Sequence, residues 1–189
     1  MSSDAKRAIV SSAREIFARR GYDGASVDAM VKSAGVSKGA FYWHFQSKFD
    51  LFRRVMEDEV ERIVSHFWET PEPGLDVVDV IHANGEGLIR RLFQDGCSLP
   101  LWFELVLSAH RGVQGMVDLA EALRMRVKED MRDRLSRARL DLADRGLEDL
   151  LCVFFDGIMF NVGIWLDLDS ALGLWRRGCG ALVGWADRG

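Results

Sequence analysis

Apolar residues recur every three or four positions along almost the whole chain, and strict apolar/polar alternation is hard to find, so the pattern predicts helices rather than sheet. Ile9, Ala13, Ile16 and Phe17 form one face of a first helix. Arg19 and Arg20 suit its negative end, Gly21 takes the left-handed closing position, and Tyr22 is placed to pack back on Phe17. Ser26 caps a second helix whose inner face is Val27, Met30, Val31 and Ala34, with Asp28 in its positive first turn. After Gly35, Ser37 caps a short third helix, with Val36 and Phe41 at staple spacing. Ser47-Lys-Phe-Asp50 is a variant capping box opening a fourth helix to about residue 68, with Leu51, Phe52, Val55, Ile63 and Phe67 on it.

Thr70-Pro-Glu-Pro-Gly74 is the clearest break in the chain. Beyond it the periodicity predicts helices over about Leu75–Phe93, Leu99–His110, Gly115–Leu142, Leu147–Leu166 and Ser170–Ala186. The third of these turns Met116, Leu119, Leu123, Val127, Met131 and Leu135 inward, and its outer face pairs Asp130 with Arg134 and Asp133 with Arg137 at i,i+4. The expected fold is all-α, with about nine helices and no internal repeat.

Charge divides the chain. The 189 residues carry a net −4, but residues 1–54 hold ten Lys/Arg against five Asp/Glu, while the remainder holds 15 against 24. A basic head on an acidic body points to two modules facing different partners. The expected division is a head over 1–50, with its motif at about 26–45, and a second helical domain over 51–189, with residues 47–68 as the connecting helix. With 48% hydrophobic residues the chain is too apolar to be disordered. The most membrane-like stretch, Leu150–Leu166, is short for a span and is interrupted by Asp156 and Asn161, so it reads as a buried helix. No apolar signal segment opens the chain, and Cys97, Cys152 and Cys179 are odd in number and widely spaced, against a disulfide framework or zinc site. The expectation is a cytoplasmic protein without membrane, metal or cofactor.

Two capped helices joined by the tight turn Ala34-Gly-Val36 make a helix-turn-helix pattern. The second opens with Lys38, Gly39 and Ala40, small enough to let a helix end enter a major groove. There Lys38 can reach a base edge or a phosphate, and the Ala40 methyl can touch a thymine methyl. Tyr42 and His44 project on the flanks, where phenol and imidazole can donate to phosphates, while Phe41 and Phe45 point into the small core. Lys48 and the capped turn at Ser26 offer further anchors for phosphate.

These residues carry a family resemblance. Ile16-Phe-Ala-Arg-Arg-Gly-Tyr22, Ala25-Ser-Val-Asp28, Ala34-Gly-Val-Ser-Lys-Gly-Ala-Phe-Tyr-Trp-His-Phe45 and Ser47-Lys48 resemble the N-terminal domain of the tetracycline-repressor (TetR) family of bacterial transcriptional regulators. The resemblance covers residues 6–52, about a quarter of the chain. It implies a three-helix DNA-reading domain, a divergent helical effector domain and a homodimer built on the last two helices. Carried over, Ser26, Tyr42, His44 and Lys48 would contact phosphates, and Ser37, Lys38, Gly39, Ala40 and Trp43 would read the groove of a palindromic double-stranded operator. Val31 and Phe49 depart from residues usual in the family, Ala and Glu, without removing a DNA contact.

The rest of the chain is less specific. Phe67, Trp68, Phe93, Trp102, Glu104, His110, Phe155, Asp156 and Met159 are the candidates for an effector pocket, though each aromatic taken singly suits the core better, and exposed or dimer-interface placement suits Glu104, His110 and Asp156 about as well. Trp102 is expected as the wall nearer the ligand, because its N–H needs an acceptor that a polar ligand or Asp156 could supply, and Phe103 as packing. Apolar stripes at Leu150, Phe154, Ile158 and Trp165, then Leu172, Trp175, Cys179 and Leu182, predict a homodimer through about 147–186. His44, His66, His82 and His110 show no metal spacing, and no nucleophile or phosphate-loop motif appears, so no enzyme is expected. The reading is a homodimeric, ligand-responsive regulator, expected to be a repressor released by a small apolar or amphipathic effector. A small helical ligand-binding protein or enzyme without DNA contact remains the alternative.

Overall fold

The computed structural model describes residues 2–67, 77–137 and 146–188. Its helices are α1 (Ser2–Gly24), α2 (Val27–Ala34), α3 (Lys38–His44), α4 (Lys48–Phe67), α5 (Val77–Asp95), α6 (Ser98–His110), α7 (Met116–Arg137), α8 (Leu147–Asn161) and α9 (Leu168–Arg188). Among the described residues there is no strand, only an isolated bridge between Val162 and Leu166. The Thr70–Gly74 break, Trp68, the expected start at Leu75 and the expected end at Leu142 lie outside the described residues, as do the side chains of Arg134, Leu135 and Arg137.

The helix boundaries follow the expected caps. Ser26 Oγ accepts the Ala29 N–H at 3.2 Å, Ser37 Oγ accepts that of Ala40 at 3.1 Å, and Ser47 Oγ accepts that of Asp50 at 3.0 Å. Asp50 in turn accepts the Gln46 N–H at 3.2 Å. Gly21 stands at φ 68° as a kink, after which the chain turns helically on to Gly24. The kink brings Tyr22 back onto Phe17, with ring centroids 6.0 Å apart. A Cβ at Gly21 would also run into the Glu104 carboxylate, so both conformation and space demand glycine there.

One boundary differs from the sequence reading. The helix expected to run to Leu166 stops at Asn161, whose carbonyl accepts the N–H groups of Ile164, Trp165 and Leu166. Gly163 supplies a φ of 80° for that turn, and Asp167 caps α9 by accepting the Ser170 N–H at 2.7 Å. That bond holds the Asp167 carboxyl below its ordinary range.

The chain forms two compact units. The first comprises residues 1–61 and 96–123. Ile9, Ala13 and Phe17 of α1 are fully buried there with Met30, Phe41, Leu51, Phe52, Val55, Leu101 and Leu105. Phe52 meets Phe17 edge-on at 5.0 Å and Tyr22 at 5.3 Å. A polar knot ties three helices together: Arg14 Nε donates to Glu59 Oε1 at 2.6 Å, and Ser98 Oγ donates to Glu59 Oε2 at 2.7 Å, with the Glu59 side chain 1% exposed. Charge counting cannot foresee that α6, far along the chain, packs on α1; its buried face is Ser98, Leu101, Leu105 and Ser108.

The second unit comprises residues 62–95 and 124–189. Here α9 packs on α5 and α8 around Trp175, which is 2% exposed and donates its Nε1–H to the His82 carbonyl at 3.2 Å. Phe154 stacks on Trp175 at 6.0 Å and Phe155 meets it edge-on at 5.6 Å. Gly85 and Gly178 make this possible, since a Cβ at either would occupy the space of the Trp175 or Phe154 ring. Along one side runs an ion-pair ladder from α7 to α8: Arg124–Asp156 at 2.8 Å, Lys128–Asp149 at 2.6 Å and Arg132–Glu148 at 2.7 Å. Arg176 pairs with Glu86 between α9 and α5.

This packing corrects the apolar stripes expected for assembly. Ile158, Leu172, Trp175 and Cys179 are buried within the unit itself, because the widest apolar face of each helix serves the core of its own chain. The exposed apolar residues are Leu150, Val153 and Phe160 of α8, Ile164 and Trp165 of the turn, and Leu174 and Trp185 of α9.

Candidate functional site

The first unit presents the helix-turn-helix motif as the sequence implies. Gly35 closes α2 at φ 67°, with its N–H on the Lys32 carbonyl, and the Val36 N–H bonds the Val31 carbonyl at 3.0 Å. The turn fixes α3 against the core through Phe41 and Phe45, which are 0% and 3% exposed with ring centroids 5.8 Å apart. With that face consumed, the opposite face of α3 is open. Trp43 is 80% exposed and Tyr42 55%, and Gly39 is exposed with no side chain of its own. Ala40 and His44 are half-buried at its margins. Exposed aromatics beside a lysine on a short, firmly anchored helix offer contact area and donors to a partner rather than to the fold.

Four of the expected contact residues have hydrogen-bond or ion-pair partners within the head. Ser26 and Ser37 use their oxygens as caps, as the sequence implies. Lys48 is more committed than expected: its Nζ donates to the carbonyls of Tyr22 at 2.8 Å and Ala25 at 3.2 Å, and lies 4.4 Å from the Tyr22 ring centre. It pins the α1–α2 turn to the start of α4, and of its three protons one remains for a phosphate. Asp28 enters the site from outside the sequence-derived set. Its carboxylate pairs with Lys38 Nζ at 2.8 Å, an exposed contact that raises the lysine's pKa through the hydrogen bond and the charge. Position spacing hides this pair, because only the turn at Gly35 sets the first turns of α2 and α3 side by side.

The pocket candidates divide between the units. In the first, Trp102 Nε1 is buried without a hydrogen-bond partner, while Glu104 accepts from Ser108 at 2.7 Å and lies against Gly21. His110 is exposed at the end of α6, and Phe103 is half-buried like Trp102. In the second, Met159 is buried, Phe155 packs on Trp175, and Phe93 is 40% exposed. Asp156 is no buried carboxylate: it stands at the surface, paired with Arg124. Phe67 ends α4, and the side chain of Phe67 lies outside the described residues with Trp68.

Burial raises the thiol of Cys152 to about 11 and that of Cys179 to about 12, which leaves both protonated and unreactive near neutrality. Among the described residues no group of three or more His, Cys, Asp or Glu is placed to hold a metal, and no helix is long and apolar enough to cross a membrane.

Comparison with known proteins bears on the same segment. Residues 9–55 match the family model described as bacterial regulatory proteins, tetR family. The transcriptional regulator UidR of Escherichia coli (strain K12) is 39% identical over 71 residues, 38% of this chain and 36% of that protein. The transcriptional activator FasR of Mycolicibacterium smegmatis is 43% identical over 53 residues, 28% of this chain and 24% of its own. The matched part thus spans between about a quarter and little more than a third of these relatives' length. In fold the likeness is wider: Salmonella enterica GusR superposes with a TM-score of 0.77 at 21% identity, over 97% of this chain and 95% of that one.

Proposed function

We propose, from the match of residues 9–55 to the model of bacterial regulatory proteins of the tetR family, that this chain is a homodimeric, ligand-responsive transcriptional regulator that represses by occupying a palindromic operator. The observation carrying this reading is the outer face of α3, where Trp43 and Tyr42 stand exposed beside Lys38 while Phe41 and Phe45 anchor the helix from behind. A helix so held is an element a major groove admits, with Gly39 and Ala40 leaving the backbone free to approach. Ser26, Tyr42, His44 and the remaining proton of Lys48 position it on phosphates, while Ser37, Lys38, Gly39, Ala40 and Trp43 face the bases.

The regulatory half of the reading rests on residues beyond the helix-turn-helix motif. An indole N–H buried without an acceptor, as at Trp102, favours a ligand that supplies one, so the effector is an apolar or amphipathic molecule bearing an acceptor. Effector binding would favour a state whose two heads no longer fit consecutive grooves, with α4 as the coupling element. The exposed apolar residues of α8 and α9 support a two-fold interface between copies.

Selection from randomised DNA duplexes tests the function. The protein should enrich a palindrome with half-sites about one helical turn apart, and binding should weaken steeply with added salt. Fusing that palindrome to a promoter reads the sign of regulation, with lower output expected when the protein is present. Recovery of no enriched sequence would exclude the reading.

A further inference from the structure

We propose that Asp28 and Lys38 act together as one reading unit for a G·C base pair, Lys38 donating to guanine and Asp28 accepting from cytosine. The inference rests on the assignment of α2 and α3 as the DNA-contacting elements. A carboxylate on a face meant for phosphates needs a reason, since it repels the backbone that supplies most of the affinity. Its place in the positive first turn of α2 accounts for a carboxylate there, but not for the pairing with Lys38: the side chains of Lys38 and Asp28 are 54% and 73% exposed, and exposed pairs of this kind contribute little to folding.

Geometry supplies one. The pair sets an acceptor oxygen and a donor nitrogen 2.8 Å apart, side by side at the open face of the motif. In the major groove a G·C pair shows the acceptors N7 and O6 of guanine, then the N4 amino donor of cytosine. O6 and N4 are hydrogen-bonded to each other, so they lie about 2.9 Å apart. The ion pair has that spacing with opposite polarity, so it can dock on the base-pair edge without breaking. Lys38 has three protons. One stays on Asp28 Oδ1, and two are left for O6 and N7, while the second lone pair of that same Oδ1 accepts from N4. An A·T pair fits less well, because thymine offers the ammonium one acceptor flanked by a methyl group. The other polar groups at the two helix starts, the hydroxyls of Ser26 and Ser37, already serve as caps.

The test uses the full chain and the duplex that the wild type enriches. Binding of wild type, Asp28→Ala and Lys38→Ala is measured on that duplex, on versions with each G·C replaced by A·T, and on versions carrying N4-methylcytosine, which keeps base pairing but blocks the groove-facing amino proton. One G·C position per half-site should discriminate about tenfold for the wild type, and N4-methylation there should cost a similar factor. Asp28→Ala should be indifferent to that methyl group and retain only part of the guanine preference, and Lys38→Ala should lose the preference. If Asp28→Ala instead binds every duplex more tightly by one factor, with base preference and methyl sensitivity unchanged, Asp28 merely neutralises the lysine and the inference fails. A wild type that enriches no sequence would overturn the DNA-binding assignment itself, a result distinct from either.

Discussion

Glu59 is an ionisable side chain sealed in an apolar interior, and it is tolerated because Arg14 and Ser98 meet both of its oxygens. Removing the arginine while keeping the carboxylate leaves a buried charge uncompensated, which costs about 3 kcal/mol. Arg14→Met should therefore lower the melting temperature clearly, whereas Arg14→Met with Glu59→Leu should recover most of the loss, since an apolar pair of similar volume replaces both charges. Thermal denaturation of the two variants decides it; a double variant no more stable than the single one would mean the knot does more than balance charge. None of this was legible in the sequence, where Arg14, Glu59 and Ser98 lie on three separate helical patterns. Caps are the opposite case. Ser26, Ser37 and Ser47 announce themselves because a cap satisfies its own next turn, and the residues that do this lie within four positions of each other.

Helices of the head were readable because each carries one apolar stripe and a local stop signal. The body was harder. An apolar run from Leu150 to Leu166 offers no proline to end it, and the actual stop depends on Gly163 at positive φ and on Asp167 starting the next helix. The sequence left Asp156 open between a pocket and the surface because its neighbours are apolar, and it sits at the surface on the rung that α8 shares with Arg124 of α7. That ladder has a pH signature. Lys128 holds the Asp149 carboxyl below its ordinary range, so the pair's contribution is present above the unfolded carboxylate pKa and is lost as pH falls through the lower folded value. Protection of the α7 and α8 amides, taken relative to the intrinsic exchange rate at each pH, should be unchanged from neutrality down to mildly acid pH and fall only below the ordinary Asp range of about 3.9. Molar salt at neutral pH should loosen the exposed rungs only slightly. Loosening that begins near pH 6 would point to a histidine instead of these carboxylates.

At the scale of the molecule the second unit leaves large aromatic side chains in the open. Phe160 and Trp185 are each 56% exposed on helices whose other faces are already packed, and Trp165, in the turn between α8 and α9, is 74% exposed. If this is the surface between two copies, Phe160→Glu with Trp185→Glu should give a monomer by sedimentation at micromolar concentration with its helical content intact. A double variant that still sediments as a dimer would place the interface elsewhere. Two heads on one axis matter only if α3 enters DNA, and Gly39 allows that to be asked directly. It lies on the open face of α3, and the nearest atom to a Cβ placed there is its neighbour Ser37 Oγ at 3.8 Å, so the free protein has room for a side chain. Gly39→Glu should melt at or above the wild-type temperature, because glycine is the poorer helix former. It should nevertheless fail to bind the selected duplex, because a carboxylate would meet the groove where the backbone has to approach. Fluorescence anisotropy of that duplex titrated with wild type and Gly39→Glu is the measurement: loss of binding in a fully folded variant is the predicted result, and wild-type affinity would contradict the placement of α3 in the groove.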